Sequence, residues 1–181
     1  MGDSFKGNLI KILTQLRQSR MALVMNSTIE LPPSDLLDLL IKLDALKASF
    51  KDYWLSMNFD ALLTPAGVLP AVPHRFTSEL PFLTAHFQPF SLLDFPSGVL
   101  PVRFVQSDDL RDLHQVHHHR STSNLERPQD RMHEYFRLAQ MDSEGLPCGV
   151  QVVTLPNQDE RCLWLMEQIE RIIDFNDVEM I

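Results

Sequence analysis

The chain has few of the features that usually announce a function. Only two of its 181 residues are cysteines, Cys148 and Cys162. Two thiols give neither a disulfide framework nor a metal site, and they point mildly to a reducing compartment. Glycine is scarce, with six residues (Gly2, Gly7, Gly67, Gly98, Gly145 and Gly149), no two of them adjacent. No loop built on adjacent glycines is therefore present in this chain. Positive charge is in deficit: 16 Lys and Arg against 24 Asp and Glu, a net charge of −8. That balance gives no support to a nucleic-acid partner. No apolar run approaches the roughly 18 residues of a transmembrane helix. The start, MGDSFKGNLIKIL, lacks the small-residue cleavage site of a signal peptide, so none is expected. What remains is 44% hydrophobic and 22% charged, the make-up of a folded globular chain. Its length suits one domain, residues 1–181, with a real core.

Proline is plentiful, with 12 residues, and it punctuates three similar units. Phe59 to Pro70 reads FDALLTPAGVLP, Leu92 to Val105 reads LLDFPSGVLPVRFV, and Gly145 to Pro156 reads GLPCGVQVVTLP. Each joins turn formers to a short apolar, β-branched run, the signature of a core strand. The strands are expected at Asp60 to Thr64, Val99 to Val105 and Gly149 to Leu155, as neighbours in one sheet. Their low alternation is the pattern of strands covered on both faces. Helical segments separate them, which makes the fold class α/β.

Four helices are expected. Phe5 to Met25 carries Leu9, Ile12, Leu13, Leu16, Leu23 and Val24 near helical spacing. Its charges are Lys6, Lys11, Arg17 and Arg20, with no acid between Asp3 and Glu30. A basic amphipathic helix reads either as a membrane-surface element or as an ordinary packing helix with a solvated face. The second helix starts at Ser34, a fitting N-cap followed by Asp35 and Asp38, and runs to about Asn58. Its inward stripe is Leu36, Leu40, Leu43, Lys47, Phe50, Trp54 and Met57, which reads as core packing. Residues 59–175 hold the strand and helix core. The proline-rich stretch from Leu69 to Pro89 is expected to be a loop, with at most a short helix around Phe82 to Phe87. Pro128 to Met141 forms the third helix, with Met132, Tyr135, Phe136 and Ala139 inward. The fourth follows Asn157 and carries Leu163, Met166, Ile169, Ile172 and Ile173.

Between the central strand and the third helix lies a histidine cluster, His114, His117, His118 and His119. His114 and His118 have the i, i+4 spacing of helical zinc ligands. Gln115, Val116 and His117 stand between them, so the acid of an HExxH motif is missing. The segment reads as a polar surface insertion, and no metal or other cofactor is assigned.

The wording of the three turn-strand units resembles the C-terminal part of the amidase signature family. FDALLTPA is similar to the strand before that family's last substrate-lining loop. GLPCGVQVVTLPNQDERCLWLMEQIE is similar to its closing motif. LDFPSGVLPV is closest to the fatty acid amide hydrolase branch. The resemblance covers about Lys42 to Arg171. It implies a part of a large mixed sheet with flanking helices, and a family reaction in which an amide or ester is hydrolysed through an acyl-enzyme. The implied nucleophile is a serine activated by a second serine and a lysine, beside an oxyanion hole of backbone amides. This chain does not contain that constellation: its five lysines lie in the first two expected helices.

By the same resemblance, Pro81, Thr84, Gln88 and Met132 fall at positions lining an acyl channel. Met132 stands where the family can have Trp, and Gln88 where it has an aliphatic residue. The first helix corresponds loosely to a membrane-binding cap. The expectation is therefore a C-terminal amidase segment, inactive alone, cytoplasmic or peripheral to an intracellular membrane. Its implied partners are a lipid amide or other acyl substrate, a membrane surface through residues 5–25, and a second chain in homo- or hetero-association. The alternative is a non-catalytic module that binds lipid or a partner. An independent hydrolase using Ser97 or Ser143 with a histidine of the cluster is a third reading, although Ser97 lies in PSG and not in a GxSxG elbow.

Overall fold

The computed structural model describes residues 3–16, 18–28, 30–80, 82–111 and 131–175. The chain divides into two compact units. One draws on Met1–Glu30, Ala71–Pro81 and Val105–Glu144, the other on Leu31–Pro70, Phe82–Phe104 and Gly145–Ile181.

In the first unit the expected Phe5 to Met25 helix is broken in two. Helix α1 spans Asp3–Gln15 and α2 spans Ser19–Ser27, folded against each other as a hairpin. The Gln18 amide reaches back to the Leu13 carbonyl at 2.8 Å, a bond that ends α1, and the Gln18 carbonyl accepts the first bond of α2 from Ala22 at 2.9 Å. Folding back half-buries Leu9, Ile10 and Leu13 as well as Met21, Val24 and Met25, and buries Ala22. A straight helix leaves those residues in water, and no propensity compensates for that exposure. Lys6 completes the hairpin: its ammonium donates to the Asn26 carbonyl at 3.1 Å and to that of Thr28. A cation at the C-terminal end of α2 also suits the helix dipole. The same unit holds a 3₁₀ turn at Phe76–Ser78 and a helix at Arg131–Met141. Phe76 and Tyr135 join these edge to face, centroids 5.0 Å apart. Met132 and Ala139 are buried, with Tyr135 and Phe136 half-buried, the face that the spacing predicts.

The second unit is built on one antiparallel sheet. Helix α3 spans Pro33–Ser56, strand β1 Leu62–Pro65, helix α4 Gln88–Leu92, strand β2 Ser97–Phe104, strand β3 Pro147–Val153 and the last helix Asp159–Ile173. With the Arg131–Met141 helix taken as α5, that last helix is α6. The strand order is β1-β3-β2, so the last strand in sequence is central. Leu62 pairs with Val153 and Leu63 with Val152; on the other side Gly98 pairs with Val152 and Leu100 with Val150. All three turn-strand units therefore do lie in one sheet. An irregularity between Pro101 and Arg103 breaks the β2 ladder. Proline has no N–H to give a ladder and is tolerated at the sheet's edge.

The sheet is sandwiched. On one face Val153 and Leu62 pack with Phe50, Trp54, Phe90, Leu93 and Phe95. Trp54 anchors this cluster: its ring lies 5.5 Å from Phe95 and 5.8 Å from Phe59, and its indole donates to the Phe59 carbonyl at 2.7 Å. On the other face Leu100 and Val152 meet Cys162, Leu165, Met166 and Ile169 of α6. Gly149 is required by this closeness. A Cβ there would sit 2.9 Å from the Leu100 carbonyl oxygen and 3.2 Å from the Cβ of Ala66.

Several expectations need correction. Ser34 is not the N-cap of α3; Pro32 holds that position with Pro33 in the first turn, and the Ser34 hydroxyl donates to Asp35 instead. Proline suits the first turn because its missing N–H has no helical partner there in any case. Leu36, Leu40 and Met57 are exposed, so the inward stripe is confined to Leu43, Lys47, Phe50 and Trp54. Residues 82–87 form consecutive turns, and the short helix follows them as α4, with Pro89 in its first turn. On α6, Leu163 and Ile172 face solvent while Cys162 and Leu165 face the sheet. Gly98 makes room for Met166 on that side.

Candidate functional site

The central turn is held from three directions. Asp94 adopts a positive φ of 59°, a conformation Asp tolerates. The Phe95 amide bonds to the Phe90 carbonyl at 3.0 Å, and the Thr154 amide, just past β3, bonds to the Pro96 carbonyl at 3.0 Å. Lys47 of α3 donates to the Asp94 carboxylate. This pair explains a lysine in an otherwise apolar stripe: its stem covers the core edge while its ammonium reaches the turn. A lysine at a core-facing position and an aspartate in a turn were both visible in the sequence, but nothing in their 47-residue separation links them.

Thr84 and Gln88 lie just before this turn. The Thr84 carbonyl accepts from the amides of Phe87 and Gln88 at 3.2 and 3.0 Å, which winds the chain into α4. Phe90 and Leu93 then fasten α4 to the aromatic cluster. Thr84 is half-buried and Gln88 exposed. A Cβ on Gly67 would meet the Leu83 carbonyl oxygen at 3.9 Å, so the turn after β1 runs beside the Thr84 segment. Of the other two positions, Met132 is buried in the first unit, and Pro81 lies outside the described residues. The histidine cluster at 114–119 also lies outside them. Among the described residues, no group of three or more His, Cys, Asp or Glu side chains is placed to hold a metal ion.

Among the described residues, three candidate nucleophiles have definable surroundings. Ser143 is buried and its hydroxyl donates to the Gln140 carbonyl at 2.6 Å. Ser97, at the start of β2, is exposed. Thr64 donates to the buried Gln151 side chain at 3.2 Å, closing a part-buried polar pair between β1 and β3. The Cys162 thiol is buried and faces the Val152 carbonyl at 3.6 Å. Burial pushes that thiol above its ordinary value and Asp159 adds to the rise, against opposing hydrogen bonds from Thr154 and the Gly98 backbone. A thiol kept protonated in this way is structural rather than reactive.

Fold and site together define an α/β protein whose antiparallel sheet is held between helices, with the turn at Asp94 fastened on one face. Sequence relatives narrow this. The chain is 29% identical over 128 residues to fatty acid amide hydrolase 1 of Caenorhabditis elegans, covering 71% of this chain and 21% of that protein. It is 31% identical over 120 residues to fatty-acid amide hydrolase 1 of Sus scrofa, covering 66% of this chain and 19% of that protein. No protein-family model matches the chain. The chain is thus similar over part of its length to fatty acid amide hydrolases, as the three turn-strand units suggest. It spans about a fifth of the length of these curated relatives.

Among the described residues, no helix is long and apolar enough to cross a membrane.

Proposed function

We propose that this chain is a structural segment of a fatty acid amide hydrolase-like amidase, supplying sheet strands and one wall of an acyl channel without supplying a nucleophile. The observation that carries this reading is the similarity to two fatty acid amide hydrolases over about two thirds of the chain. That wall includes Thr84 and Gln88 of the second unit. The exposure of Gln88 and the partial exposure of Thr84, on a segment fastened by Phe90, support their part in it. Among the described residues neither Ser97 nor Ser143 hydrogen-bonds to a lysine or histidine, the pairing by which a base activates a serine, and this supports the reading.

A second reading is favoured by the α1–α2 hairpin. Ile12, Leu16 and Leu23 are exposed there, beside the exposed Lys11. Such a surface suits contact with a lipid interface, where each cation contributes about 1 kcal/mol near anionic headgroups. In that reading the chain is a lipid-binding module derived from an amidase, peripheral to a membrane.

One experiment tests both. The purified chain is incubated with a long-chain acyl amide, with and without anionic vesicles, and probed with a serine-directed fluorophosphonate. The expected result is no turnover and no labelling, with salt-sensitive vesicle binding that Lys11→Glu reduces. Turnover blocked by the fluorophosphonate overturns the absence of a nucleophile. Binding that ignores both salt and Lys11→Glu overturns the membrane contact.

A further inference from the structure

Ser78 closes the 3₁₀ turn Phe76–Ser78 of the first unit and is exposed. Its hydroxyl donates to the Arg75 carbonyl at 2.8 Å. The turn that carries it is weak. Its backbone is held by the Phe76 amide on the Pro73 carbonyl at 3.1 Å and the Glu79 amide on the Phe76 carbonyl at 3.0 Å. Arg75, at its start, has a φ of 74°, a region that residues with a side chain disfavour. So short a 3₁₀ turn opens locally at little cost. An enzyme that needs extended chain on both sides of the hydroxyl can therefore obtain it here.

Arg75 stands three residues before Ser78. It is exposed and forms no ion pair among the described residues. A free guanidinium at a fixed distance from a hydroxyl is what an acidic substrate groove can grip with two parallel hydrogen bonds. We propose that Ser78 is a phosphorylation site for a serine kinase that reads an arginine three residues before its acceptor, with Arg75 as that arginine. In the transfer the Ser78 hydroxyl oxygen attacks the γ-phosphorus of ATP. The bond from that phosphorus to the bridging oxygen breaks, ADP leaves, and the hydroxyl proton passes to the kinase's catalytic aspartate.

The consequence falls on Glu79. Its carboxylate accepts from the Gln18 side-chain amide at 3.3 Å, a part-buried link across 61 residues. Gln18 lies between α1 and α2, so this bond ties the hairpin to the Ser78 segment of the same unit. A phosphoserine brings about −1.5 to −2 charges at pH 7 onto the residue next to that carboxylate. Like charges this close repel. The Glu79 carboxylate moves away, the Gln18 amide loses its acceptor, and the start of α2 loosens.

The full chain, incubated with an arginine-directed kinase of the calmodulin-dependent class, ATP and Mg²⁺, tests this. Arg120 and Ser123 share the spacing but lie outside the described residues, so the phosphate is mapped by peptide mass spectrometry. Phosphate is expected at Ser78, and none at that position in Ser78→Ala. Arg75→Gln lowers the initial rate at Ser78 by about tenfold or more, the loss of one charge-assisted contact. Arg75→Lys, which keeps the charge without the fork, recovers part of it. Amide exchange at Ala22, followed by NMR, speeds up about threefold to tenfold on phosphorylation. Gln18→Ala shows the faster exchange without phosphate and gains nothing further from it. Circular-dichroism melts show that each variant folds. An unmodified Ser78, while the kinase labels its standard peptide, overturns the site. Equal rates for wild type and Arg75→Gln overturn the part given to Arg75. Unchanged exchange at Ala22 in the phosphorylated chain overturns the coupling to the hairpin. None of these outcomes depends on whether the chain hydrolyses amides.

Discussion

Helix α3 is two different helices in one. From Leu43 to Trp54 its apolar side lies against the sheet and the aromatic cluster, and Trp54 is 2% exposed. From Leu36 to Ile41 the residues are at least as apolar, yet Leu40 is 49% exposed. The pattern runs unbroken through both halves. Periodicity reports that a side of a helix prefers cover, but not what supplies it. In the C-terminal half the cover comes from residues far along the chain: Phe90, Leu93, Phe95 and Val153. The N-terminal half reaches beyond them.

The contrast can be broken most forcefully at its buried end. Trp54→Ala removes the largest side chain in the cluster and a hydrogen bond to Phe59, and is expected to cost about 3–5 kcal/mol. Leu40→Ala, one apolar residue on the same helix, should stay within about 0.5 kcal/mol in a dilute monomer. Urea unfolding of both variants checks the difference; equal losses would mean that the two halves are covered alike. A smaller effect is expected from the covering layer itself. Gly149→Ala forces a methyl group against the Leu100 carbonyl and Ala66, and should cost about 1–3 kcal/mol. The strand cannot move away without disturbing both neighbours. Its unfolding midpoint in urea should fall while the slope is unchanged. The smallest effect belongs to the far end of the exposed half. A capping serine is worth about 1 kcal/mol, but the Ser34 hydroxyl caps nothing, so Ser34→Ala should change stability by less than about 0.5 kcal/mol. A loss of 1 kcal/mol or more on thermal melting would restore Ser34 to the cap.

Much of the sheet was legible beforehand. Turn residues bounded each strand: Asp94 and Asn157 take the positive φ that their side chains tolerate, and Gly145 does so for want of a side chain. The three strands stand within a few residues of their expected places. Their order was not legible, because the hydrogen bonds that make β3 central join residues about 50 and 90 positions apart. The candidate channel was readable only through family likeness. Thr84 and Gln88 have no local pattern of their own, and their placement follows from Phe90 finding the aromatic cluster.

The hairpin shows the same boundary from another side. Leu9, Leu13 and Val24 have helical spacing, so a helical state for both segments follows from local preference. No proline or glycine marks the break at residues 16–18, since the reason for turning back is the burial that α1 and α2 give each other. The sequence by itself determined which segments are helix, strand and turn, because propensity, periodicity and turn chemistry act over a few neighbouring residues. Only the tertiary structure decided which apolar residues are covered, that Lys47 serves Asp94, that Gly149 admits no side chain, and that the first half of α3 is left open. Each of those depends on what distant residues bring to the same place, and contact between distant residues is selected by the free energy of the whole packed fold.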